Sequence, residues 1–156
     1  MIRKLKKYLR VVPLDICVYV AAPDGFTAFP EVGYTLEMQP LSDGRTLFFI
    51  DDNGRRVHHS SLFPALHVLR LIGKRGPAIG DCATIPQYKG KSIYPFVINR
   101  IALEQFAAGI PEVFMIVNRD NRASVRGIEK AGFKLRATLR GKRFMLWYFG
   151  IKKQMC

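Results

Sequence analysis

Apolar residues along the chain fall into short alternating or unbroken runs. None approaches the roughly 18 consecutive residues that a membrane-spanning helix requires. Residues 14–22 (L-D-I-C-V-Y-V-A-A) alternate and carry β-branched side chains, which predicts a strand. Residues 23–44 are rich in Pro, Gly and Asp and give no clear period. Residues 46–50 are apolar, Asp52-Asn53-Gly54 is a strong turn signal, and residues 55–62 complete an expected antiparallel hairpin. Residues 64–73 fit a short helix or a strand, and residues 78–85 read as a strand ended by Pro86. The period then changes. Ile93, Phe96, Val97, Ile101 and Phe106 mark one face of a helix, with Pro95 tolerated in its first turn. Gly109 and Pro111 close that helix. Residues 113–117 form an unbroken apolar run, suited to a strand buried on both faces. Asn121 can cap a second helix that stops at Gly132. Residues 133–139 and 143–151 bracket Gly141 and predict a closing hairpin. Strand–helix–strand–helix flanked by antiparallel pairs implies a mixed α/β (α+β) sheet.

At 156 residues the chain fits a single domain, 1–156, because two halves would each have a poor core. With 49% apolar residues it has enough to bury and is not a disordered chain. Its 25 Lys and Arg against 12 Asp and Glu leave a net charge of +13. Such an excess suits a polyanionic partner: nucleic acid, an acidic membrane surface or a phosphate-rich ligand. Basic residues at 3–10 and 119–143 have aromatic neighbours, yet no nucleic-acid-binding motif accompanies them. A nucleic-acid module is therefore the weaker reading. The N-terminus imitates a secretory signal, with Arg3, Lys4, Lys6, Lys7 and Arg10 ahead of an apolar stretch. Pro13 and Asp15 break that stretch, so a basic helical turn leading into the first strand is expected. Cys17, Cys82 and Cys156 are too few and too scattered for a disulfide scaffold, and His58, His59 and His67 lack zinc-finger spacing. Reduced thiols, no metal and a cytoplasmic setting are the expectation.

Gln87-Tyr88-Lys89-Gly90-Lys91-Ser92 lies between a predicted strand and a predicted helix. A helix start offers unpaired N–H groups and the positive end of the dipole. Gly90 permits a positive φ or close approach to a ligand, and Lys89 and Lys91 add charge. The loop reads as a phosphate or pyrophosphate site, or as a solvated turn. Asn121-Arg122-Ala123-Ser124 opens the later helix, which contains Gly127. A mid-helix glycine costs roughly 1 kcal/mol relative to Ala. It signals close packing, a ligand crossing the helix, or a tolerated surface position.

Together these segments resemble the GNAT acyltransferase superfamily over residues 79–133. Q-Y-K-G-K-S is similar to the family's phosphate loop, Q/R-x-x-G-x-G/A. N-R-A-S-V-R-G-I-E-K-A-G-F is similar to its later pattern, N-x-x-A/S followed by E-K-x-G-F. The resemblance implies a mainly antiparallel sheet whose central parallel pair, 78–85 and 113–117, splays around acetyl-CoA. It implies that backbone groups at Ala83, Thr84 and Ile85 pair with the pantetheine. Gln87, Tyr88, Lys89, Gly90, Lys91 and Ser92 would hold the pyrophosphate, and Asn121 and Ser124 would contact the cofactor from the second helix. The wording T-I-P-Q-Y-K-G-K-S-I-Y-P is similar to members found among bacterial surface-polysaccharide genes, which suggests an amino sugar as acceptor. A small-molecule acceptor and a homodimer are the partners this reading allows.

Two departures stand out. Ser92 replaces the loop's last Gly or Ala, and Ile128 stands where the family often has a Tyr that protonates the departing thiolate. Without that Tyr, another donor or water serves, or the protein binds acyl-CoA without transferring the acyl group. Tyr88, Tyr94 and Tyr148 are replacement acids in principle, and Tyr94, two residues beyond the loop, is the candidate acid. Asp81 is a candidate base on the first parallel strand, or an edge carboxylate. His58 and His59 would point to opposite sheet faces, so at most one, here His58, serves as a base. Cys82 is a candidate nucleophile or a buried strand cysteine. Phe144, Trp147, Tyr148 and Phe149 would line an acceptor pocket, or alternate in the core.

Overall fold

A computed structural model describes residues 9–156. The expected basic turn falls mostly outside these residues. Eight strands form one sheet: β1 (Val12–Ala21), β2 (Glu37–Pro40), β3 (Thr46–Asp52), β4 (Arg55–Phe63), β5 (Ala78–Thr84), β6 (Val113–Asn118), β7 (Lys134–Phe144) and β8 (Trp147–Met155). Their spatial order is β2-β3-β4-β5-β6-β1-β7-β8. Every pairing is antiparallel except that of β5 with β6. That parallel ladder has only two residue pairs, Ala78 with Phe114 and Ile79 with Met115, after which the strands part. The helix between them, α1 (Ile93–Ala107), lies within the sequence-predicted span, as does α2 (Arg122–Lys130). Residues 67–72, ambiguous in sequence, make a short 3₁₀ turn.

The central strands of the sheet are buried on both faces. On one side Tyr19, Ile79, Met115 and Val117 pack beneath Phe96, Val97 and Ile101 of α1 and Ile128 of α2. On the other, Val18, Phe114 and Leu139 pack against Val68, Leu69 and Ile72 of the 3₁₀ turn. A central strand with both faces covered should read as a continuous apolar run, as β6 does.

Residues 22–36 carry no regular element. Phe26, Phe29, Val32, Tyr34 and Leu36 within them nevertheless pack onto the helical side of the core. A buried polar residue fixes their path. Asn99, in the middle of α1, accepts the Phe29 N–H at 2.8 Å. Its amide donates to the Thr27 and Ala131 carbonyls, each at 2.9 Å. One side chain thus ties α1 to the irregular segment and to the C-terminal end of α2. Tyr19 adds a second tie, donating to Glu129 at 2.8 Å and so holding α2 against β1.

The closing hairpin departs from the expected one. Gly141 does not turn the chain: β7 runs through it to Phe144, and the two-residue turn is Met145-Leu146. Gly141 sits at a register shift between Arg140 and Lys142. A Cβ there would lie 2.6 Å from Ile151 and 3.1 Å from the Phe149 and Gly150 carbonyls. The glycine answers to close backbone approach at an irregular point in the strand pair, not to a bend.

Asn99→Leu keeps much of the volume but strands one N–H and two carbonyls. Each unsatisfied buried group costs about 1–3 kcal/mol. Urea unfolding of the variant should give a stability lower by about 2–4 kcal/mol. An unchanged midpoint would show that the Asn99 bonds are dispensable.

Candidate functional site

Beyond the point where β5 and β6 part, a cavity of about 680 Å³ opens between the end of β5, the start of α1 and α2. Cys82, Ala83 and Thr84 of β5 form part of its wall, and the loop leading into α1 adds Tyr88, Lys89, Gly90 and Ser92. Tyr94 lines it from the first turn of α1, while Asn121, Ser124, Arg126, Gly127 and Lys130 come from α2 and its cap. Among the described residues, three cations and no carboxylate line this space.

A bulge turns β5 away from β6. His59 pairs with Ala83 and Ser61 with Gly80, so two β5 residues oppose the single Ser60. Asp81 at the bulge takes a positive φ of 52°. Beyond it the ladder alternation decides which backbone groups are free. The Ile85 N–H donates to the Val57 carbonyl at 3.0 Å, which makes that pair a hydrogen-bonded one. Ala83 opposite His59 follows the same pattern. Thr84, opposite His58, then directs its N–H and carbonyl away from β4, toward the gap. Of the three backbone positions expected to meet a ligand, Thr84 has groups turned toward the gap, whereas Ala83 faces β4 and Ile85 is committed, its N–H to Val57 of β4 and its carbonyl to the Tyr88 N–H at 3.0 Å.

The loop has the backbone its pattern anticipates. Gly90 holds φ +80° with open space around the place of a Cβ, so it is there for conformation. Ser92 also lies in the left-handed region, at φ 61°, as the N-cap of α1. A small residue or glycine is favoured there for that reason. Its hydroxyl accepts from the Lys130 ammonium at 2.9 Å, joining the loop to α2. Tyr88 braces the loop from below by donating to Asp52 at 2.6 Å, and that bond raises its pKa. Lys91 lies over the Tyr88 ring, 4.7 Å from its centre, and lines no part of the cavity; neither does Gln87. Asn121 uses its side chain to cap α2 through the Ser124 N–H.

Tyr94 crosses the floor of the cavity. A Cβ on Gly127 would lie 2.5 Å from the Tyr94 ring, so the glycine allows the ring to rest directly on α2. Burial raises the Tyr94 pKa, the Cys82 thiol adds to this, and Ser124 opposes it. The phenol is therefore fully protonated at neutral pH. Cys82 is pushed up to about 12, chiefly by burial, which leaves it a thiol and a poor nucleophile.

The proposed bases are placed less directly. His58 is buried, bonded through Nδ1 to the Thr84 hydroxyl at 2.7 Å and through Nε2 to the Ser60 hydroxyl at 2.8 Å. Burial, helped by His59, lowers its pKa to about 4, so it is neutral at pH 7. It does not line the cavity, and its nearest link to it is Thr84. Asp81 is exposed, within 3.8 Å of Arg45, and outside the lining. Ile128, at the position of the family Tyr, is buried in the core under α2. Phe144, Trp147, Tyr148 and Phe149 line no part of the cavity. Trp147 and Phe149 are exposed, and Tyr148 stacks on His67.

Arg126 and Lys130 join the cavity lining, beyond the residues expected to meet a cofactor. Their signal is the i, i+4, i+8 series with Arg122, which puts basic residues on one helical stripe.

No protein-family model and no curated protein matches the chain. Solved structures do. A GNAT-family protein from Novosphingobium aromaticivorans DSM 12444 superposes with a TM-score of 0.57 at 16% identity, over 82% of this chain and 62% of that one. An acetyltransferase of the GNAT family from Colwellia psychrerythraea superposes with a TM-score of 0.58 at 10% identity, over 84% and 56%. This chain spans about three-fifths of the length of either. These likenesses establish the GNAT fold: a mostly antiparallel sheet with one parallel pair, as described above.

Gly90→Val forces a β-branched residue into the left-handed region, where it is strongly disfavoured. Calorimetric titration should show coenzyme A binding weakened at least ~30-fold, about 2 kcal/mol, with the thermal transition still cooperative. Affinity equal to the parent's would remove the loop from the site.

Proposed function

We propose that the chain is an acyl-CoA-dependent acyltransferase. It would use acetyl-CoA and pass the acyl group to an amine or hydroxyl of a small molecule such as an amino sugar. The observation that carries this reading is the gap between β5 and β6. It offers free backbone groups at Thr84 and leads to a helix start flanked by Lys89, Arg126 and Lys130. An extended, amide-bearing ligand with a polyphosphate end fits that order of chemistry. The absence of a carboxylate from the lining fits it too.

Acetyl-CoA would supply an acyl thioester, an activated carbonyl with the coenzyme A thiolate as leaving group. The chain's own residues would do the rest. The Thr84 backbone would orient the pantetheine, and the Gly90–Ser92 turn and three cations would hold the phosphates. The acceptor attacks the carbonyl carbon, the carbon–sulfur bond breaks, and the sulfur takes a proton while the acceptor loses one. Tyr94 is a protonated hydroxyl on the cavity floor and is the proposed donor to sulfur. A base on the acceptor side would act through the Thr84 hydroxyl, the point where neutral His58 comes closest to the cavity.

One observation favours a second reading. Ile128 is core, so the position that often carries the acid cannot supply a proton. A protein that binds acyl-CoA without transferring its acyl group would have no need of one.

Thiol release from acetyl-CoA over a panel of amines and amino sugars separates the two readings. Release above the uncatalysed rate is expected. Tyr94→Phe, which retains the ring on Gly127, should lower turnover at least ~10-fold with cofactor affinity nearly unchanged. Binding without release across the panel would establish the second reading. Release unaffected by the substitution would make Tyr94 structural.

A further inference from the structure

The end of the molecule formed by the β7–β8 hairpin has no role in the proposed chemistry. Its surface is unusual. Leu146 and Trp147 are each 75% exposed, and Met145 and Phe149 are exposed beside them. A two-residue hairpin turn is ordinarily built from Asn and Gly, which accept positive φ. Here Met145 holds φ 53° in an exposed Met-Leu pair. Turn chemistry alone would not select these residues, and solvent exposure penalises both.

Basic residues surround the apolar tip. From residue 131 to 156 the chain has seven Lys or Arg and no Asp or Glu. Lys142 stands opposite Phe149 and Arg143 opposite Tyr148, while Lys152 and Lys153 follow on β8. Val12, the exposed first residue of β1, pairs with Arg143. Arg10, two residues ahead of β1, is exposed at the same end of the molecule. Asp15 is the acidic group against Arg140 and Arg119 at this edge, and it lies several residues back from the tip.

Topology determines where the tip projects. β6 and β7 both run antiparallel to β1, so they point the same way. Ile16 pairs with Asn118 on one side and Leu139 on the other, which sets the end of β6 level with the middle of β7. Five further residues of β7 carry Phe144 roughly 17 Å past the edge at which the cavity opens.

We propose that this hairpin docks the protein on an anionic lipid bilayer, with Met145, Leu146 and Trp147 entering the interface and the flanking Lys and Arg meeting the headgroups. An apolar tip with an indole ring inside a basic collar matches a bilayer's layered chemistry. A second copy of the chain matches it poorly. β8 is the sheet edge, and pairing two such edges would crowd Lys152 and Lys153 against like charges. A nucleic acid would satisfy the cations and leave Met145 and Leu146 in water.

Trp147 is the chain's single tryptophan, so its emission reports the tip alone. The full chain should co-sediment with vesicles of phosphatidylcholine and phosphatidylglycerol, and Trp147 emission should move to the blue. Vesicles of phosphatidylcholine alone should retain little protein. Leu146→Asn should weaken binding about tenfold by removing buried apolar area, and Lys142→Glu should weaken it as well. Circular dichroism of both variants should match the parent. Failure to bind the anionic vesicles overturns the proposal. So does binding that Leu146→Asn leaves unchanged, which would be charge attraction without docking. A dimer in sedimentation velocity that Leu146→Asn abolishes would assign the tip to self-association. Duplex DNA binding that Lys142→Glu abolishes and Leu146→Asn leaves intact, with no binding to anionic vesicles, would assign it to a polynucleotide.

Discussion

Two residue pairs hold β5 and β6 together in parallel, and everything at the candidate site depends on their stopping there. A continued ladder would consume the backbone groups of Thr84 and close the cavity. The bulge at Asp81 and Cys82 prevents this by spending one extra residue against β4. β5 keeps its hydrogen bonds to β4 through Ala83 and Ile85, so the departure from β6 strands no group on that side. The groups left over belong to Thr84, half-buried at the cavity wall, where they can pair with a ligand or with water. A strand-like ligand with its own amides is a natural partner.

The helices keep the gap open. Tyr94 lies between α1 and α2 because Gly127 has no Cβ, and Asn99 locks both helices to the irregular segment at 22–36. Lys130 reaches back to Ser92, so the start of α1 and the last turn of α2 are joined across the mouth. The loop, the basic stripe and the cavity floor therefore form one braced unit. Its charge is one-signed, which suits a ligand with several phosphates and would repel cationic competitors.

Much of this was legible in the sequence where a local rule carried the information. Asn121 announced a cap, Gly90 a left-handed turn, and residues 113–117 a doubly buried strand. These follow from backbone preference and periodicity within a few residues. The unread parts depend on contacts between distant segments. Asn99 looked like one polar residue in a helix, and its three partners lie about 30 and 70 residues away. Gly141 resembled a turn glycine, yet its need comes from the facing strand. The facing of Ala83 and of the Ile85 N–H toward β4 follows from register, which no single strand encodes. Residues 23–36 gave no period because they pack aromatics one at a time, without a repeating face, and residues 37–40 gave none because β2 is an edge strand with every residue exposed.

The central claim is that the gap between β5 and β6 is the binding slot for an acyl-CoA. A crystal structure of the chain with coenzyme A tests it most directly. The account predicts the pyrophosphate against residues 89–92 near Arg126 and Lys130. It also predicts the pantetheine chain running between the two strands, with an amide bonded to the Thr84 backbone. Coenzyme A bound elsewhere, with Thr84 left unpaired, would contradict it.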